Sequence, residues 1–499
     1  MTGNTDLAAQ LEALSGARVV VAGDVMLDRF LYGAVERISP EGPIPVLRIE
    51  REAAMLGGAG NVLRNLAALG AKIEFLAVVG DDAAGREVHN LARDAAGAGC
   101  RLLVEAGRPT TIKERYIAAG QQLLRADRDP GSAIRAETAA ALIDATTAAL
   151  SGAGALVLSD YGKGTFEPET LGALIAAARA AGCPVVVDPK GRDYGVYRGA
   201  TLVTPNKREL HEATGLPTSS DREVALAAQE IIDSCGIETV LTTRGSDGLT
   251  LLASGGKGTH LNLPTEAREV FDVSGAGDTV VAAVAAALAA GLNLDDAARL
   301  ANLAASIVVG KLGTAVASRS ELLQTLHASA LMVAEAKVAD PGASVEQAAR
   351  WRQKGLTIGF TNGCFDLLHP GHISLLAQAR AACDRLIVGL NSDASTRRLK
   401  GDGRPIQPEA ARAAVLASLA NVDLVVVFGE DTPLKLIEAL RPDVLVKGAD
   451  YARDEVVGAD LVERHGGKLI LVELAPGHST SGTIGRMSGG RMSGGRMSG

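Results

Sequence analysis

The chain has 499 residues, too many for one hydrophobic core, and this length indicates roughly two to four domains. Hydrophobic residues make up 47% and charged residues 22%, as in soluble globular proteins, and the formal net charge of −8 argues against nucleic acid or an acidic membrane surface as the main partner. The five cysteines lack CxxC spacing, which is typical of a reducing cytoplasm and predicts neither a disulfide framework nor a zinc site. We find no pattern of a signal peptide or membrane span, so we expect a cytoplasmic protein.

The first part of the chain alternates apolar strand patterns with helix patterns, beginning with the run Arg18 to Gly23. This alternation predicts a parallel sheet covered by helices on both faces, with ligand groups where the strands end. Asp24 and Asp28 directly follow the first strand. Four more polar groups follow later strands: Asp160 to Lys163, Asp188 to Lys190, Asn206 to Glu209 and Thr243 to Gly248. Each alone fits a solvated loop, but together they predict a site at one edge of the sheet.

Two early segments carry weaker signals. The polar, proline-rich stretch from Arg37 to Val46 fits a flap over a pocket about as well as an ordinary edge hairpin. The glycines from Gly57 to Gly60 would let the backbone approach a ligand closely, and Asn61 could hydrogen-bond a hydroxyl. A turn with a polar cap explains the same residues, so both interpretations stay open.

The stretch Asp272 to Thr279, with the sequence DVSGAGDT, precedes an Ala/Val run that is typical of a buried helix. Glycines before a helix let backbone N–H groups converge on an anion at the positive end of the helix dipole. Asp278 would lie beside that anion and could take a proton from an attacking hydroxyl. A glycine-rich turn with a capping aspartate is the alternative, and the strand-end groups favour a phosphoryl-transfer centre.

These motifs resemble, in the same order, those of the ribokinase-like (PfkB) carbohydrate kinases, over about residues 10 to 325. The resemblance implies an α/β fold with a mainly parallel sheet between helices and a small β flap. It also implies an ATP-dependent sugar kinase. Asp278 would be the base, and the N–H groups of Gly275, Ala276 and Gly277 would form the anion hole for the transferring phosphoryl.

The same resemblance implies two sets of binding residues. The ATP set is Asn206, Glu209, Thr243, Gly245 and Gly248, and the sugar set is Asp24, Asp28, Gly58, Asn61 and Lys163. Asn206 and Glu209 would position Mg²⁺ together with the phosphates rather than act as fixed ligands. Lys163 suits a sugar that already bears a phosphate, although an ordinary surface lysine is a competing interpretation. Because such kinases often pair through the flap strand, the resemblance also implies a homodimer through Val46 to Ile49.

The periodic pattern changes after Ala317, and helix punctuation then sets the domain limits. We expect the kinase domain at 1–325, a helical linker at 326–353 and a second domain at 354–485. The repeated Arg-Met-Ser-Gly tail at 486–499 cannot bury a core, so we expect it to be disordered.

The second domain opens with the stretch Thr361 to His372, TNGCFDLLHPGH, between a predicted strand and a predicted helix. His369 and His372 are spaced i, i+3 and therefore share one face of the helix. Two imidazoles beside a helix N-terminus form a cationic cradle for phosphate. A zinc site is the alternative, but no cysteine or carboxylate stands at helical spacing to complete it.

This stretch resembles the HxGH motif of the nucleotidyltransferase superfamily, in its cytidylyltransferase-like branch, over about residues 355 to 486. The resemblance implies a Rossmann-like domain that transfers a nucleotidyl group without a covalent intermediate. His369 and His372 would stabilise the α-phosphate in the transition state. The other nucleotide-binding residues that it implies are Gly363, Phe365, Asp366, Lys400, Arg412, Lys447, Ser479 and Thr480. Asp366 would either orient a histidine or cap the helix, and the glycines near Arg486 put that residue's contact with the triphosphate in doubt.

The two domains together resemble the bifunctional heptose enzymes of bacterial lipopolysaccharide synthesis. That implies C1 phosphorylation of D-glycero-β-D-manno-heptose 7-phosphate by ATP, and adenylyl transfer from ATP to the 1-phosphate, giving ADP-heptose and pyrophosphate. Because the first product carries two phosphates and the second acceptor one, a separate phosphatase is expected between the steps. The alternatives are another phosphosugar or polyol with CTP at the second site, or a degenerate domain that serves as a sensor or assembly module.

Overall fold

The computed structural model describes residues 7, 10–96, 99–254, 260–266, 273–311, 313–449 and 451–473, without the side chains of residues 327 and 329–334. The described residues divide into two compact units, one ending at Thr325 and the other beginning at Leu326. Several residues named above lie outside the described residues: Asp272, Ser479, Thr480, Arg486 and the tail 486–499.

The first unit is built around a large sheet. Its strands are β1 (Arg18–Gly23), β2 (Val25–Ile38), β3 (Pro45–Gly58), β4 (Lys72–Gly80), β5 (Cys100–Glu105), β6 (Ile112–Ala118), β7 (Gln121–Arg128), β8 (Ala155–Ser159), β9 (Val185–Asp188), β10 (Leu202–Val203), β11 (Thr239–Thr243), β12 (Leu249–Ala253) and β13 (His260–Leu263). Nine of them form the sheet β13-β12-β11-β10-β9-β8-β1-β4-β5. Only β12 runs antiparallel to its neighbours there, so the prediction of a mainly parallel sheet is confirmed.

Helices cover this sheet. They are α1 (Ala59–Leu69), α2 (Ala83–Ala96), α3 (Ala136–Ala149), α4 (Pro168–Ala180), α5 (Lys207–Thr214), α6 (Asp221–Cys235), α7 (Ala276–Ala289), α8 (Leu294–Val309) and α9 (Arg319–Glu335). Three short 3-10 helices are added: Leu14–Gly16, Tyr194–Tyr197 and Gly245–Asp247. The Ala/Val run of α7 is buried from Asp278 to Ala287 and packs against α1 and α8, as its apolar sequence predicts.

A smaller sheet of four strands, β3-β2-β6-β7, forms the flap of the first unit. β2 and β3 are antiparallel and joined by the turn 39–44, so the proline-rich segment is a hairpin tip on the flap, where Ile38 and Ile44 are exposed. β6 pairs with β2 in parallel, and β7 closes the other edge. β3 leads directly through Gly58 into α1, which connects the flap to the candidate site.

The second unit is a parallel sheet of six strands in the order β14-β17-β16-β15-β18-β19. The strands are β14 (Val338–Ala339), β15 (Ile358–Gly363), β16 (Arg385–Asn391), β17 (Leu424–Phe428), β18 (Val444–Gly448) and β19 (Lys468–Val472). Its helices are α10 (Pro341–Gln353), α11 (Pro370–Ala381), α12 (Asp393–Lys400), α13 (Glu409–Ala417), α14 (Leu434–Leu440) and α15 (Ala459–Arg464), with a 3-10 helix at Arg453–Glu455. The strand order is that of a Rossmann-like sheet, as predicted.

Both faces of this second sheet are buried. Leu386 and Val388 of β16 face one apolar cluster and Ile387 faces the other, which is why the strand sequence is apolar throughout. Ala348 and Trp351 of α10 pack at the second cluster, and β14 pairs with β17. Much of the segment 326–353, which the sequence predicts to be a linker, is therefore part of the second unit's sheet and core.

Candidate active sites

Both candidate sites lie where the strand order reverses, the usual ligand position in open α/β sheets. In the first unit this point is between β1 and β8, and Asp24 and Tyr161 come just after these strands. In the second unit it is between β15 and β18, and the HPGH segment follows β15.

Asp278 is held by two hydrogen bonds from distant parts of the first unit. It lies in the first turn of α7 and is 6% exposed. Asn61 Nδ2 donates to its Oδ2 at 2.8 Å, and the Tyr161 hydroxyl donates to its Oδ1 at 2.7 Å. The structure therefore brings together the predicted base and a predicted sugar residue, together with a tyrosine to which the sequence pattern assigns no role.

The orientation of Asn61 is itself fixed. Arg64 Nη1 donates to Asn61 Oδ1 at 3.2 Å, which leaves the amide nitrogen facing Asp278. Asn65 Nδ2 donates to the Asn61 backbone oxygen at 2.9 Å and Thr279 Oγ1 donates to Asn65 Oδ1 at 3.0 Å, so α1 is pinned to α7. Such a buried, satisfied network specifies one geometry.

Burial raises the pKa of Asp278 to about 6, while the hydrogen bonds from Asn61 and Tyr161 act in the opposite direction. The Asp28 charge raises the pKa further and the Lys113 charge lowers it. A carboxylate with this pKa is ionised at neutral pH yet basic enough to accept a proton in a transition state. These properties suit a general base.

The predicted anion hole lies at the start of α7. Gly275 has a φ of 81°, and a Cβ there would lie 2.7 Å from Asn61 Nδ2, so a glycine is required. The Ala276 N–H already donates to the Val273 oxygen at 3.3 Å. Gly277 is the second residue of the helix, where backbone N–H groups have no intrahelical partner. The Gly277 N–H is therefore placed at the positive end of the helix, where an anion would bind.

Asn206 and Glu209, predicted to position Mg²⁺, form the N-terminal cap of α5. Asn206 Oδ1 accepts the Glu209 N–H at 2.9 Å, and Glu209 Oε2 accepts the Asn206 N–H at 3.1 Å. Lys190 Nζ also donates to Glu209 Oε1 at 3.2 Å. The two hydrogen bonds between Asn206 and Glu209 form a capping box, which the spacing Asn-x-x-Glu permits. The sequence interpretation assigned the two residues to Mg²⁺ and did not predict this structural role.

The surroundings of these residues fit a divalent cation. A polar cavity of about 140 Å³ is lined by Asp188, Asn206, Glu209 and Asp278 among others. Burial, reinforced by the charges of Asp278 and Glu209, raises the pKa of Asp188 well above its ordinary value. Repelling carboxylates of this kind are relieved by a hard cation such as Mg²⁺. Within the described residues no group of three His, Cys, Asp or Glu could hold a metal ion by itself.

A larger cleft of about 690 Å³ has the size of a small-molecule pocket. It is lined by Asn206, Thr243, Gly245, Gly248, Ala276 and Gly277 from the predicted sets, and by Asn302, Ala305, Ser306 and Val309 of α8. The α8 residues were missed because their spacing signals only a packed helix. Four of the five predicted ATP residues thus line this cleft, and the fifth, Glu209, lines the polar cavity that contains Asp278.

Asp24, a predicted sugar ligand, holds the loop after β8 in this structure. Its carboxylate accepts the backbone N–H groups of Tyr161 at 2.9 Å, Lys163 at 3.0 Å and Thr165 at 3.2 Å. Gly58 has a φ of 58°, and a Cβ there would lie 2.5 Å from the backbone oxygen of Asp24. Asp24 therefore stabilises the loop after β8, and Gly58 allows the backbone to pass close to Asp24. Contact of either residue with a sugar stays a prediction.

A cluster of cations stands next to Asp28 on the flap. Arg115 Nη1 lies 3.0 Å from Asp28 Oδ1, yet among the described residues neither atom has a hydrogen-bond partner of good geometry. Lys113 lies two residues earlier on β6, and burial lowers its pKa. Lys163 Nζ forms an ion pair with Asp129 Oδ2 at 2.6 Å. Lys113 and Arg115 were missed by sequence reasoning, because only the pairing of β6 with β2 brings them to the site.

In the second unit the two histidines of HPGH stack, with ring centroids 3.8 Å apart. His369 is the N-cap of α11 and His372 lies in its first turn, so the shared face predicted from their spacing is confirmed. Burial, then the proximity of His369, lowers the pKa of His372 to about 4. His372 is therefore neutral at pH 7 before a phosphate is bound, and the cationic cradle expected from the sequence stays a prediction for the bound state.

Phe365 supports this pair. Its ring centroid lies 5.0 Å from that of His372. Its φ is 43°, a conformation that a bulky residue rarely adopts, and a Cβ on Gly363 would approach its ring to 3.2 Å. Strained residues are common at functional sites. The predicted nucleotide residues Gly363 and Phe365 thus shape the loop that presents His372.

Among the described residues, Asp366 contacts no histidine and caps no helix. Its Oδ2 accepts a hydrogen bond from Arg404 Nε, and its Oδ1 accepts the backbone N–H groups of Ile406 at 2.7 Å and Gln407 at 3.1 Å. Both expected roles are therefore wrong. The buried carboxylate anchors the basic loop 400–407 to the HPGH segment.

Replacing Asp366 with asparagine should raise the KM for ATP in adenylyl transfer by about tenfold, since a hydrogen bond to a charged group contributes about 1.5–3 kcal/mol. Steady-state release of pyrophosphate measures this effect. Asp384→Asn, at an exposed site of the same unit, is the matched control and should leave the KM unchanged. An unchanged KM in the Asp366 variant would contradict the anchoring role.

Three other predicted nucleotide residues differ in their surroundings. Arg412 is buried, and its guanidinium donates to the backbone oxygens of Cys364 at 2.6 Å and Asn391 at 2.9 Å. Arg412 thus ties the ends of β15 and β16 together. Lys447 Nζ donates to the Asn362 oxygen at 3.0 Å, and Lys400 is exposed at the end of α12. Contact of these cations with phosphate stays a prediction.

No helix in the described ranges is long and apolar enough to cross a membrane. All five cysteines are free thiols.

Comparison with known proteins matches each unit to a family. The pfkB family of carbohydrate kinases matches residues 17–321, and the cytidylyltransferase-like family matches residues 360–480. The chain is 60% identical to the bifunctional protein HldE of Paramagnetospirillum magneticum, over 98% of this chain and 100% of that protein. It is 56% identical to the bifunctional protein HldE of Rhodospirillum rubrum, over 97% of each chain.

Solved structures share the fold of the first unit. Phosphofructokinase-2 from Escherichia coli, in complex with potassium, aligns with a TM-score of 0.53 and 24% identity over 63% of this chain and 98% of that one. Arabidopsis thaliana ribokinase complexed with ribose and ATP aligns with a TM-score of 0.50 and 21% identity over 62% of this chain and 98% of that one. The predicted ribokinase-like fold, followed by a nucleotidyltransferase domain, is confirmed.

Proposed function

This chain belongs to the family of bifunctional HldE proteins, and we propose that its two units carry out the two steps of that family at the sites described above. HldE proteins act as heptose 7-phosphate kinase and heptose 1-phosphate adenylyltransferase in ADP-heptose synthesis, and this chain is accordingly a kinase and a nucleotidyltransferase. The observation that supports the assignment of sites is that each unit brings predicted reactive residues together, Asp278 with Asn61 in the first and His369 with His372 in the second. We take the sugar to be D-glycero-β-D-manno-heptose.

In the kinase step, Asp278 accepts the proton of the C1 hydroxyl as that oxygen attacks the γ-phosphorus of ATP. The carboxylate is ionised at neutral pH and held in place by Asn61 and Tyr161, which supports this role. The Gly277 N–H, at the positive end of α7, stabilises the charge that develops on the phosphoryl oxygens. ATP lies in the cleft beside α8.

The 7-phosphate of the sugar is held by the cations of the flap and its neighbouring loop. Lys113, Arg115 and Lys163 are close enough to Asp28 or to one another for their charges to interact, and the Asp28–Arg115 contact has poor hydrogen-bond geometry. A phosphate placed there would compensate positive charges that are partly buried.

Asp188, Asn206 and Glu209 would hold Mg²⁺ with the phosphates of ATP. When bound, the ion neutralises charge on the β- and γ-phosphates.

In the transferase step, an oxygen of heptose 1-phosphate attacks the α-phosphorus of ATP and pyrophosphate leaves. His369 and His372 face the α-phosphate and stabilise its charge. An approaching triphosphate raises the pKa of His372, because a nearby negative charge favours the protonated ring. Lys400, Lys447, Ser479 and Thr480 hold the β- and γ-phosphates.

Incubation with defined substrates tests the assignment. Heptose 7-phosphate with ATP should give the 1,7-bisphosphate, and heptose 1-phosphate with ATP should give ADP-heptose and pyrophosphate. CTP in place of ATP should give no nucleotide sugar. Efficient formation of a CDP-sugar, or preference for a different phosphosugar at either site, would contradict the substrate assignment.

We further infer that a separate phosphatase acts between the two steps, since the kinase product carries a phosphate at C7 that the acceptor lacks. The purified chain should therefore leave the bisphosphate unconverted when ATP is present. Direct formation of ADP-heptose from the bisphosphate by this chain alone would contradict this inference.

A homodimer through the flap is also proposed. The strand β7 is exposed along its whole length, and Ile38, Ile44 and Ile49 expose apolar surface on the hairpin of β2 and β3. Sedimentation equilibrium should give twice the chain mass, and a monomer at micromolar concentration would contradict the proposal.

A cytoplasmic location is proposed because ATP is the donor in both steps and the five thiols are free. Cell fractionation should place both activities in the soluble cytoplasmic fraction, and recovery in the periplasm would contradict it.

A further inference from the structure

Tyr161 is placed against the kinase base in a way that the reaction described so far does not use. It follows β8 in the sequence Ser-Asp-Tyr-Gly-Lys-Gly, and its hydroxyl donates to Asp278 Oδ1 at 2.7 Å. The other carboxylate oxygen accepts from Asn61 at 2.8 Å. Each carboxylate oxygen therefore already has one donor and keeps a second lone pair.

We propose that Tyr161 is a positioning residue for the kinase step: its hydroxyl holds the Asp278 carboxylate ionised and in one orientation, with the remaining lone pair open to the sugar hydroxyl. This inference rests on the proposed role of Asp278 as the base. It assigns Tyr161 a function distinct from binding sugar or nucleotide.

The backbone that carries Tyr161 is fixed, which favours a permanent donor over a side chain that swings away. Asp24 accepts the N–H groups of Tyr161, Lys163 and Thr165 and so clamps the loop at three points. A Cβ on Gly58 would lie 3.5 Å from the Tyr161 ring, so the ring lies close to the N-cap of α1. The hydrogen bonds from this loop to Asp24 therefore also position the Tyr161 hydroxyl beside Asp278.

The ring also faces the cation cluster of the flap. Lys113 Nζ lies 5.5 Å from the centroid of the Tyr161 ring. A cation over the ring face makes the phenol a better hydrogen-bond donor by withdrawing electron density. Tyr161 thus lies between the group proposed to hold the sugar phosphate and the group proposed to take the proton.

Charges of both signs surround Asp278, and after burial the two hydrogen bonds act on its pKa more strongly than the charges of Asp28 and Lys113. Asp28 on β2 raises its pKa, while Lys113 on β6 lowers it. Arg64 on α1 and Asp188 at the end of β9 also interact with the Asp278 charge, with opposite signs. A donor that bonds the charged form lowers the pKa of a buried carboxyl.

The proton balance is simple. The proton of the C1 hydroxyl passes to Asp278, the new O–P bond forms, and ADP leaves with the electrons of the broken bond. Tyr161 keeps its own proton, because burial and the Asp278 charge raise its pKa well above the ordinary value. It is therefore a donor before and after the transfer.

Tyr161→Phe tests the inference through the pH profile of the kinase reaction. In the parent chain the rate should rise with pH through about 6, as Asp278 ionises. We call this rising part of the pH profile the limb. Without the hydroxyl, the limb should shift to higher pH by about one unit, the size expected for losing a hydrogen bond to a charged group. The variant should be about fivefold slower at pH 6 and within about threefold of the parent at pH 8.5, where Asp278 is ionised in both.

Two controls separate this effect from loss of structure. Tyr197→Phe removes a buried hydroxyl that donates to Asp160 Oδ2 at 2.7 Å rather than to Asp278, and it should leave the position of the limb unchanged. Fluorotyrosine incorporated at position 161 keeps the side chain's shape and is a stronger donor, so it should move the limb to lower pH. ATP ionises in the same way in all samples and does not contribute to the differences.

The inference is overturned if neither Tyr161 variant moves the limb, or if Tyr161→Phe lowers the rate equally at every pH. Failure of the proposed function gives a different result, because an Asp278→Asn variant would then retain phosphorylation. Loss of activity in Asp278→Asn together with an unmoved limb in both Tyr161 variants rejects the role of Tyr161 alone.

Discussion

Asp278→Asn should lower heptose phosphorylation by about 10³-fold, within the range that general base catalysis contributes. Asparagine has the size of aspartate but cannot take the proton of the C1 hydroxyl. Release of ADP in the presence of heptose 7-phosphate measures the kinase step. The same preparation should form ADP-heptose from heptose 1-phosphate at the parent rate, because Asp278 belongs to the first unit only.

The matched control is Asp233→Asn, on the exposed face of α6, where the carboxylate contacts only Gln229 among the described residues. It should leave both activities unchanged. Substantial phosphorylation by Asp278→Asn would remove the residue from the base role, and loss of both activities would contradict the assignment of the two steps to separate sites.

His372→Ala should lower adenylyl transfer by about 10²–10³-fold, the loss typical when one group that stabilises a developing charge is removed. Heptose phosphorylation should be unchanged. His465→Ala, an exposed histidine of the same unit, is the control and should retain both activities. Release of pyrophosphate from ATP and heptose 1-phosphate measures the effect.

The protonation of His372 gives a second test of the adenylyl transfer site. Because the pKa of His372 is lowered to about 4, the ring is neutral in the free enzyme until the pH falls through that value. His369→Gln removes the neighbouring charge and should raise the pKa of His372, which NMR titration of the ring would detect. An unchanged His372 titration, or adenylyl transfer that survives His372→Ala, would contradict the proposed pair.

Most of the fold and the centres of both sites could be predicted from the sequence, because short motifs carry them. The DVSGAGDT and HPGH stretches combine glycine or proline at a helix start with the reactive side chain, so their local geometry follows from chain chemistry. Asp278 and His372 each lie in the first turn of a helix, as that reasoning predicts, and their catalytic roles stay predictions. The alternation of apolar strands and helices predicted the parallel sheet of the first unit, and the resemblance carried by the HPGH stretch implied the Rossmann-like sheet of the second.

Residues whose roles depend on distant pairing could not be predicted. Lys113 and Arg115 approach Asp28 only because β6 runs beside β2, a parallel contact between segments far apart in the chain. Tyr161 reaches Asp278 across 117 positions. A polar residue after a strand gives no sign of which distant carboxylate it will meet.

Other predicted residues turned out to have partners of their own. Asp24, Asp366 and Arg412 were selected as ligand groups, yet each binds several backbone atoms. Charged residues that are indispensable to a loop and charged residues that bind a substrate look alike in a single sequence. Only burial and hydrogen-bond geometry separate them.

The division of the chain into two units with separate apolar clusters has a genetic consequence. If the intermediate must leave the chain to lose a phosphate, the two steps need not occur on the same molecule. A cell that carries one copy with a dead kinase and another with a dead transferase should therefore still make ADP-heptose. Recessive alleles of this gene would fall into two groups that complement each other, with a border near Thr325.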